Sequence, residues 1–220
     1  MRARFTIDQI ASAALGIVDE SGLGALSMRT LAAALGTGPM TMYNYVADKE
    51  GLEELVVAAV VAGVEVPAPT ADWQQDVHAV ATAMWRAVRA HPAAIPLVLT
   101  RRMASATGFA IAEALVGALG RAGLSDGDRL SAFHAVLGLV TGSAQAELAG
   151  PFTGAAAEAA AAIGAVAGAK FPHLAALSKV ATRTSVEADF DGGLRMLLDG
   201  IAVRAAPPKK ARRGRAAPPA

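Results

Sequence analysis

Asn44 lies within a short stretch, from Met40 to Tyr45, whose side chains could contact the edges of DNA bases. An asparagine amide can form two hydrogen bonds with adenine, and the methyl groups of Met and Thr can contact the methyl group of thymine. Both tyrosines of the chain also fall in this stretch, although aromatic residues make up only 5% of the sequence. Arg29 and Lys49, on either side, could neutralise phosphates. This combination favours contact with double-stranded DNA.

Three predicted helices position this stretch. The first begins after Thr6, which forms a capping box with the glutamine three residues later, and it ends at Gly22. The second begins after Ser27, another residue type that caps helices. The third begins at Pro39, because proline fits the first position of a helix, and we expect it to reach about Val46.

The third predicted helix has two different faces. At about 100° per residue, Met42 and Val46 point the same way and can pack on the first two helices. The opposite face carries Met40, Thr41, Asn44 and Tyr45, with Tyr43 at its margin. Two short helices joined by a glycine-containing turn are typical of a helix-turn-helix, whose second helix enters the major groove of DNA. The alternative is an ordinary helical hairpin with polar surface residues.

Helical spacing of apolar residues continues along the rest of the chain, and no segment alternates as a strand would. We therefore predict an all-α protein of about ten helices. The proline-containing residues 66–69 mark a boundary. We predict a helix-turn-helix DNA-binding domain at residues 1–65, a helical effector-binding and dimerisation domain at residues 66–204, and a disordered basic tail at residues 205–220.

Composition excludes several kinds of protein. The sequence has no cysteine, which rules out disulfides and thiolate catalysis. No uncharged apolar run reaches the ~18 residues of a membrane helix, and no signal peptide is recognised, so we expect a cytoplasmic protein without a membrane segment. Five of the 20 basic residues lie in the last twelve positions, and without them the formal net charge of +1 becomes −4. Any DNA contact in the folded part therefore depends on a few placed groups.

No pattern of an enzyme or metal site is found. The histidines do not have metal-ligand spacing, Ser143 lacks the glycines of a nucleophile elbow, and residues 164–170 lack the spacing of a phosphate-binding loop. We expect neither catalysis nor a metal or cofactor. A second hypothesis is a helical interaction protein that binds nucleic acid non-specifically through its basic tail. Sequence-specific binding should depend on Asn44 and Tyr43, whereas binding through the tail should not.

The helix-turn-helix region consists of three segments: LSMRTLA at residues 26–32, LGTGPMTMYNYV at residues 35–46 and KEGL at residues 49–52. Together they resemble the TetR family of repressors, and the resemblance covers about residues 5–65. A weaker resemblance, to the C-terminal domain of the tetracycline-repressor branch, extends from residue 72 through the eighth predicted helix and returns at residues 190–194. It implies a homodimer in which the eighth and tenth helices form a four-helix bundle, and an effector pocket within helices four to eight.

The resemblance also implies particular DNA contacts. The positions that match the family's contacts are Ser27, Arg29, Met40, Thr41, Tyr43, Asn44, Tyr45 and Lys49. We add Thr37, because a hydroxyl near the start of a helix can contact a phosphate. A two-fold dimer presents two recognition helices, so the expected partner is operator DNA with an inverted repeat.

For the dimer interface we expect Phe133, Leu137 and Val140 on the eighth helix and Leu194, Leu197, Leu198 and Ile201 on the last. For an effector pocket we expect Met84, Trp85, Val98, Met103, Phe109 and His134, with Arg101 as an anchor for an acidic group. Met and aromatic side chains make an adaptable apolar wall. The positions that would hold drug and metal in the tetracycline repressor carry Val80, Met84 and Val98. We therefore expect a small apolar or amphipathic effector instead of tetracycline–magnesium.

Overall fold

The computed structural model describes residues 4–101, 105–149 and 170–205. Within these ranges the chain forms ten α-helices and two short 3-10 helices and contains no β-strand, which confirms the all-α prediction. The first four helices are α1 (Ile7–Ser21), α2 (Met28–Ala34), α3 (Pro39–Met42) and α4 (Lys49–Ala62). The others are α5 (Trp73–Arg89), α6 (Ile95–Thr100), α7 (Ala106–Gly120), α8 (Asp126–Ala149), α9 (Pro172–Ala181) and α10 (Val186–Ala205).

The predicted starts of the first two helices are confirmed by their hydrogen bonds. The N–H of Gln9 donates to the Thr6 hydroxyl at 3.2 Å, and the N–H of Thr6 donates to the Gln9 side chain at 2.9 Å. Ser27 forms the same reciprocal arrangement with Thr30 at the start of α2. Gly22 ends α1 with φ 78°, a left-handed conformation that glycine adopts without steric cost.

α3 is shorter than predicted. It ends at Met42, whereas we expected it to reach about Val46. The following residues form turns, and the N–H groups of Tyr45 and Val46 both donate to the Met42 carbonyl, at 2.9 and 3.0 Å. Asp48 caps α4 by accepting a hydrogen bond from Gly51, and it has φ −154°. A capping residue requires such an extended conformation, so the chain has to leave the helical conformation before it.

α4 joins the helix-turn-helix to the C-terminal helices. It packs against α1 on one side and against α5, α6 and α7 on the other. Its buried residues are Leu52, Val56, Val57, Val60 and Val61. The hydrophobic core is consequently continuous from α1 to α10. α4 is therefore packed against helices of both parts of the chain.

α5 is the centre of the C-terminal part, where it packs against α7, α8 and α10. Trp85 on α5 stacks on Phe190 of α10, with ring centroids 4.4 Å apart. His78 Nε2 lies 2.6 Å from the Asp191 carboxylate, also on α10. None of the described helices combines the length and hydropathy needed to cross a membrane. Ala205 is still helical, although we expected the tail to begin there, and residues 206–220 of the predicted tail lie outside the described residues.

Candidate DNA-binding interface

The two faces of α3 and its following turn are confirmed by burial. Met42 and Val46 are buried in the core, whereas Met40 is 77% exposed and Tyr43 is 51% exposed. Asn44 is also exposed. Because α3 contacts α2 through its inner face, the outer face is left free for a partner. We refer to α3 with residues 43–46 as the recognition helix.

Tyr45 does not lie on the open surface, which corrects the expectation for this residue. It is half-buried, and its hydroxyl accepts a hydrogen bond from the N–H of Phe5 at 3.1 Å. The Tyr45 and Phe5 rings meet edge to face, with centroids 6.4 Å apart. Three residues at about 100° each place Tyr45 only about 60° from the buried Met42. The helical period itself therefore puts Tyr45 nearer the inner face, and the expectation assigned it to the wrong side. Its established contacts are with the segment before α1.

Two threonines connect the turn after α2 to the recognition helix. The Thr37 hydroxyl donates to the Thr41 hydroxyl at 3.1 Å, and both side chains are partly buried. Ser27 is occupied by its capping box with Thr30. Arg29 and Lys49 are exposed. DNA contact by any of these side chains stays a prediction.

The charged groups in residues 4–65 differ in whether they have an ion-pair partner. Three cations of this region make no ion pair with a described carboxylate: Arg4, Arg29 and Lys49. Several of its acids are engaged on the side of the C-terminal helices. Asp19 lies 2.8 Å from His91, and Glu50 and Glu53 both pair with Arg101. The recognition surface therefore has cations available for phosphates, although the net charge of the chain is only +1.

The expected effector residues do not form one group. Met84, Trp85 and Val98 are buried, but Phe109 is 65% exposed and His134 is exposed. Because Phe109 and His134 are exposed in the single chain, their place in an effector pocket stays a prediction. Met103 lies outside the described residues.

Arg101 is held by α4, whereas we expected it to be an anchor for an acidic ligand. Its Nε donates to Glu53 at 3.0 Å, and it also pairs with Glu50. The hydrogen bond with Glu53 raises the pKa of Arg101, against the opposing effect of burial. The partners could not be inferred from sequence because they lie 48 and 51 positions away.

Sequence analysis did not identify two buried polar atoms on α5. Neither Thr82 Oγ1 nor Trp85 Nε1 has a hydrogen-bond partner among the described residues. The two residues are three positions apart, so they lie on neighbouring parts of one helical face. A buried polar atom without a partner is unfavourable, and water or a ligand commonly satisfies it. The sequence offered one signal for this pair of atoms, namely a Thr and a Trp at helical spacing on an amphipathic helix.

The interface residues expected on α8 and α10 divide into two groups. Val140, Leu194, Leu198 and Ile201 are buried within the single chain, because they hold α8 and α10 onto the core; this corrects their assignment to a dimer surface. Phe133, Leu137 and Leu197 are only partly buried. Four further large apolar side chains on these helices are exposed: Leu130, Val186, Met196 and Val203. The apolar surface available to a second chain therefore differs from the predicted set.

An exposed recognition helix, adjacent unpaired cations and a helical C-terminal part are the features of a one-component transcriptional regulator. Among the described residues, no group of three or more His, Asp or Glu side chains could hold a metal ion. The protein-family model described as tetracyclin repressor-like, C-terminal domain, matches residues 66–205 of this chain. The chain belongs to the TetR family of transcriptional regulators.

Individual relatives agree with this assignment. An HTH-type transcriptional regulator of Saccharopolyspora erythraea is 35% identical over 143 residues, which are 64% of this chain and 61% of the relative. The HTH-type transcriptional repressor DrrR1 of Streptomyces coeruleorubidus is 33% identical over 145 residues, or 65% and 54% of the two chains. The match thus spans less than two thirds of these relatives. The crystal structure of ActR from Streptomyces coelicolor in complex with actinorhodin has a TM-score of 0.78 and 29% identity, and the match covers 93% of this chain and 100% of ActR.

Proposed function

We propose that this chain is a sequence-specific DNA-binding repressor. The observation that carries the proposal is the exposed face of the recognition helix, which includes Met40, Tyr43 and Asn44. The cations of residues 4–65 make no ion pair with a described carboxylate. Such side chains contact base edges and phosphates in a major groove. As part of the same proposal, the protein would act in the cytoplasm and would need no catalytic residues. The relatives are transcriptional regulators, which favours this function over a protein that binds nucleic acid only through its tail.

We propose that the active form is a homodimer. Leu130 on α8 and Met196 and Val203 on α10 expose apolar side chains, and Phe133 and Leu197 are partly exposed. A second copy of the chain would bury them, and a two-fold interface uses the same surface on both chains. We also propose the domain boundary between residues 65 and 66 and the basic tail at residues 205–220, as expected from the sequence.

A small apolar or amphipathic ligand is proposed to release the DNA. Met84, Trp85 and Val98 supply buried apolar surface, and the two unpartnered polar atoms of Thr82 and Trp85 offer hydrogen bonds to a ligand. The ActR structure contains actinorhodin, which supports a ligand-responsive role. α6 and α4 are joined through Arg101, so a ligand that displaces α6 would also move α4 and the recognition helix.

Selection from a randomised duplex library tests the DNA-binding proposal. We expect the wild-type protein to select an inverted repeat, with half-sites spaced by about 10 base pairs or a multiple of that number. Footprinting should show two protected half-sites, and sedimentation should show a dimer. A variant that ends at Ala206 is the control, because it should select the same repeat. Enrichment of no sequence, or binding that disappears when the tail is removed, would contradict the proposal; a footprint without two-fold symmetry would contradict the dimer.

A further inference from the structure

We infer that Arg4 is an additional contact to the DNA backbone and that Tyr45 is the residue that positions it. This inference rests on the DNA-binding function proposed above. Arg4 and Phe5, which we call the N-terminal arm, extend from the start of α1 to the turn between α2 and α3. The arm was not among the contacts expected from the sequence.

Arg4 lies against the turn that leads into the recognition helix. Its guanidinium donates to the Gly36 carbonyl at 3.2 Å and to the Thr37 hydroxyl at 3.5 Å. The Thr37 hydroxyl donates in turn to Thr41 at 3.1 Å, within α3. Arg4 is thus connected to the recognition helix through a single intervening side chain. It is also exposed, so a DNA backbone that follows this surface can reach it.

The partners of Arg4 leave its charge uncompensated. A carbonyl and a hydroxyl accept hydrogen bonds but carry no formal charge, and no described carboxylate pairs with this guanidinium. The guanidinium has more N–H donors than these two acceptors use, and its planar fork suits a phosphate. Six of the arginines in the C-terminal helices, in contrast, pair with carboxylates: Arg89, Arg101, Arg121, Arg129, Arg195 and Arg204. A fixed and unpaired cation beside the recognition helix is suited to a phosphate contact.

Tyr45 holds the arm in this position. Its hydroxyl accepts from the Phe5 N–H at 3.1 Å, and its ring meets the Phe5 ring edge to face. The Arg4 guanidinium lies 5.3 Å from the centroid of the same Phe5 ring, within the range of a cation–π contact. Tyr45 is therefore a positioning residue. We expect it to affect DNA binding through the arm instead of through a phosphate contact of its own.

A double-mutant cycle tests the inference. The variants are Arg4→Ala, Tyr45→Phe, the double variant and Arg4→Lys, with Arg183→Ala as a control for the loss of one exposed arginine elsewhere. Affinity is measured by fluorescence anisotropy at several salt concentrations. The probes are the duplex that the wild-type protein selects and a random duplex of equal length. The melting temperature of each variant shows whether it is folded.

Arg4→Ala should weaken binding to both duplexes alike. It should flatten the slope of log affinity against log salt by about 0.9 per phosphate contact, or roughly 1.8 for a dimer. Arg4→Lys should keep most of the slope, and Arg183→Ala all of it. Tyr45→Phe should weaken binding several-fold, yet cause no further loss when Arg4 is already Ala.

If the wild-type protein does select a duplex, either of two results would overturn the inference about Arg4 and Tyr45. One is an unchanged salt slope in Arg4→Ala. The other is an additive loss in the double variant, which would show that Tyr45 contacts DNA independently of the arm. If the wild-type protein selects no duplex at all, the proposed function fails and this inference fails with it.

Discussion

Asn44 and Lys49 are both exposed at the recognition surface, but their chemistry predicts different effects on binding. The amide of Asn44 can distinguish one base from another because it offers a donor and an acceptor in a fixed arrangement. The ammonium group of Lys49 is a point charge that attracts any phosphate. Exposure alone therefore does not define the role of a residue at this surface.

Asn44→Ala should weaken binding to the selected duplex by about 1–3 kcal/mol and relax the preference at one position of each half-site. Lys49→Ala should weaken all sequences alike, because a phosphate contact carries no base information. Repeating the library selection with both variants measures the two effects. Base contact by Asn44 would be contradicted if the preferred sequence were unchanged in Asn44→Ala.

At the scale of elements, Asp76 on α5 connects the segment before that helix with the end of α7. Its carboxylate accepts from the Thr70 N–H at 2.9 Å and from the Thr70 hydroxyl at 2.8 Å. Arg121, after α7, pairs with the same carboxylate. Burial alone would raise the pKa of Asp76, but the hydrogen bonds from Thr70 and the charge of Arg121 outweigh it and hold the pKa below its usual value. Asp76 is therefore stabilising in its ionised form.

The lowered pKa of Asp76 predicts how stability depends on pH. A carboxylate with a lower pKa in the folded than in the unfolded state stabilises fully above its unfolded pKa, about 4, and this contribution is lost as pH falls through the folded pKa. Asp76→Asn should therefore lower the melting temperature at about pH 7, and its difference from wild type should shrink towards about pH 2.

Calorimetric scans across this pH range provide the measurement. Glu20→Gln is a suitable control, because Glu20 is an exposed carboxylate on α1 without an ion pair among the described residues. A melting-temperature difference between Asp76→Asn and wild type that stays constant with pH would show that the ionised carboxylate is not the source of the stabilisation.

At the scale of the whole molecule, the junction between the helix-turn-helix and the C-terminal helices contains both apolar and charged contacts. α4 is buried on both sides, Arg101 pairs with Glu50 and Glu53, and His91 contacts Asp19. These contacts differ in what they can transmit. Apolar packing holds the two parts together, whereas an ion pair at the end of α6 can be broken when that helix moves.

Arg101→Ala should separate ligand binding from DNA release. Apolar ligands that raise the melting temperature of the wild type should also raise that of the variant, but they should lower its affinity for the selected duplex by a smaller factor, because the two sites are coupled through the junction. Thermal-shift and anisotropy measurements give the two quantities. Loss of ligand binding in Arg101→Ala would instead show that this arginine anchors the ligand. A thermal shift with tetracycline–magnesium and none with apolar compounds would contradict the proposed effector class.

The sequence by itself determined the features that depend only on residues close together in the chain. Thr6 and Ser27 predicted helix starts, and the structure confirms both caps. The helical period predicted that Met42 and Val46 point inward. Capping hydrogen bonds and helical faces involve residues only a few positions apart, so local chemistry is sufficient to define them.

Only the tertiary structure decided which long-range partner each side chain has. Tyr45 contacts Phe5 across 40 positions, and Arg101 contacts Glu53 across 48. An amphipathic pattern could not show that Leu194 and Leu198 serve the core of a single chain while Met196 stays exposed. A helix with a wide apolar surface can present it to its own chain or to a second one, and the packing of the other helices determines which part is left over.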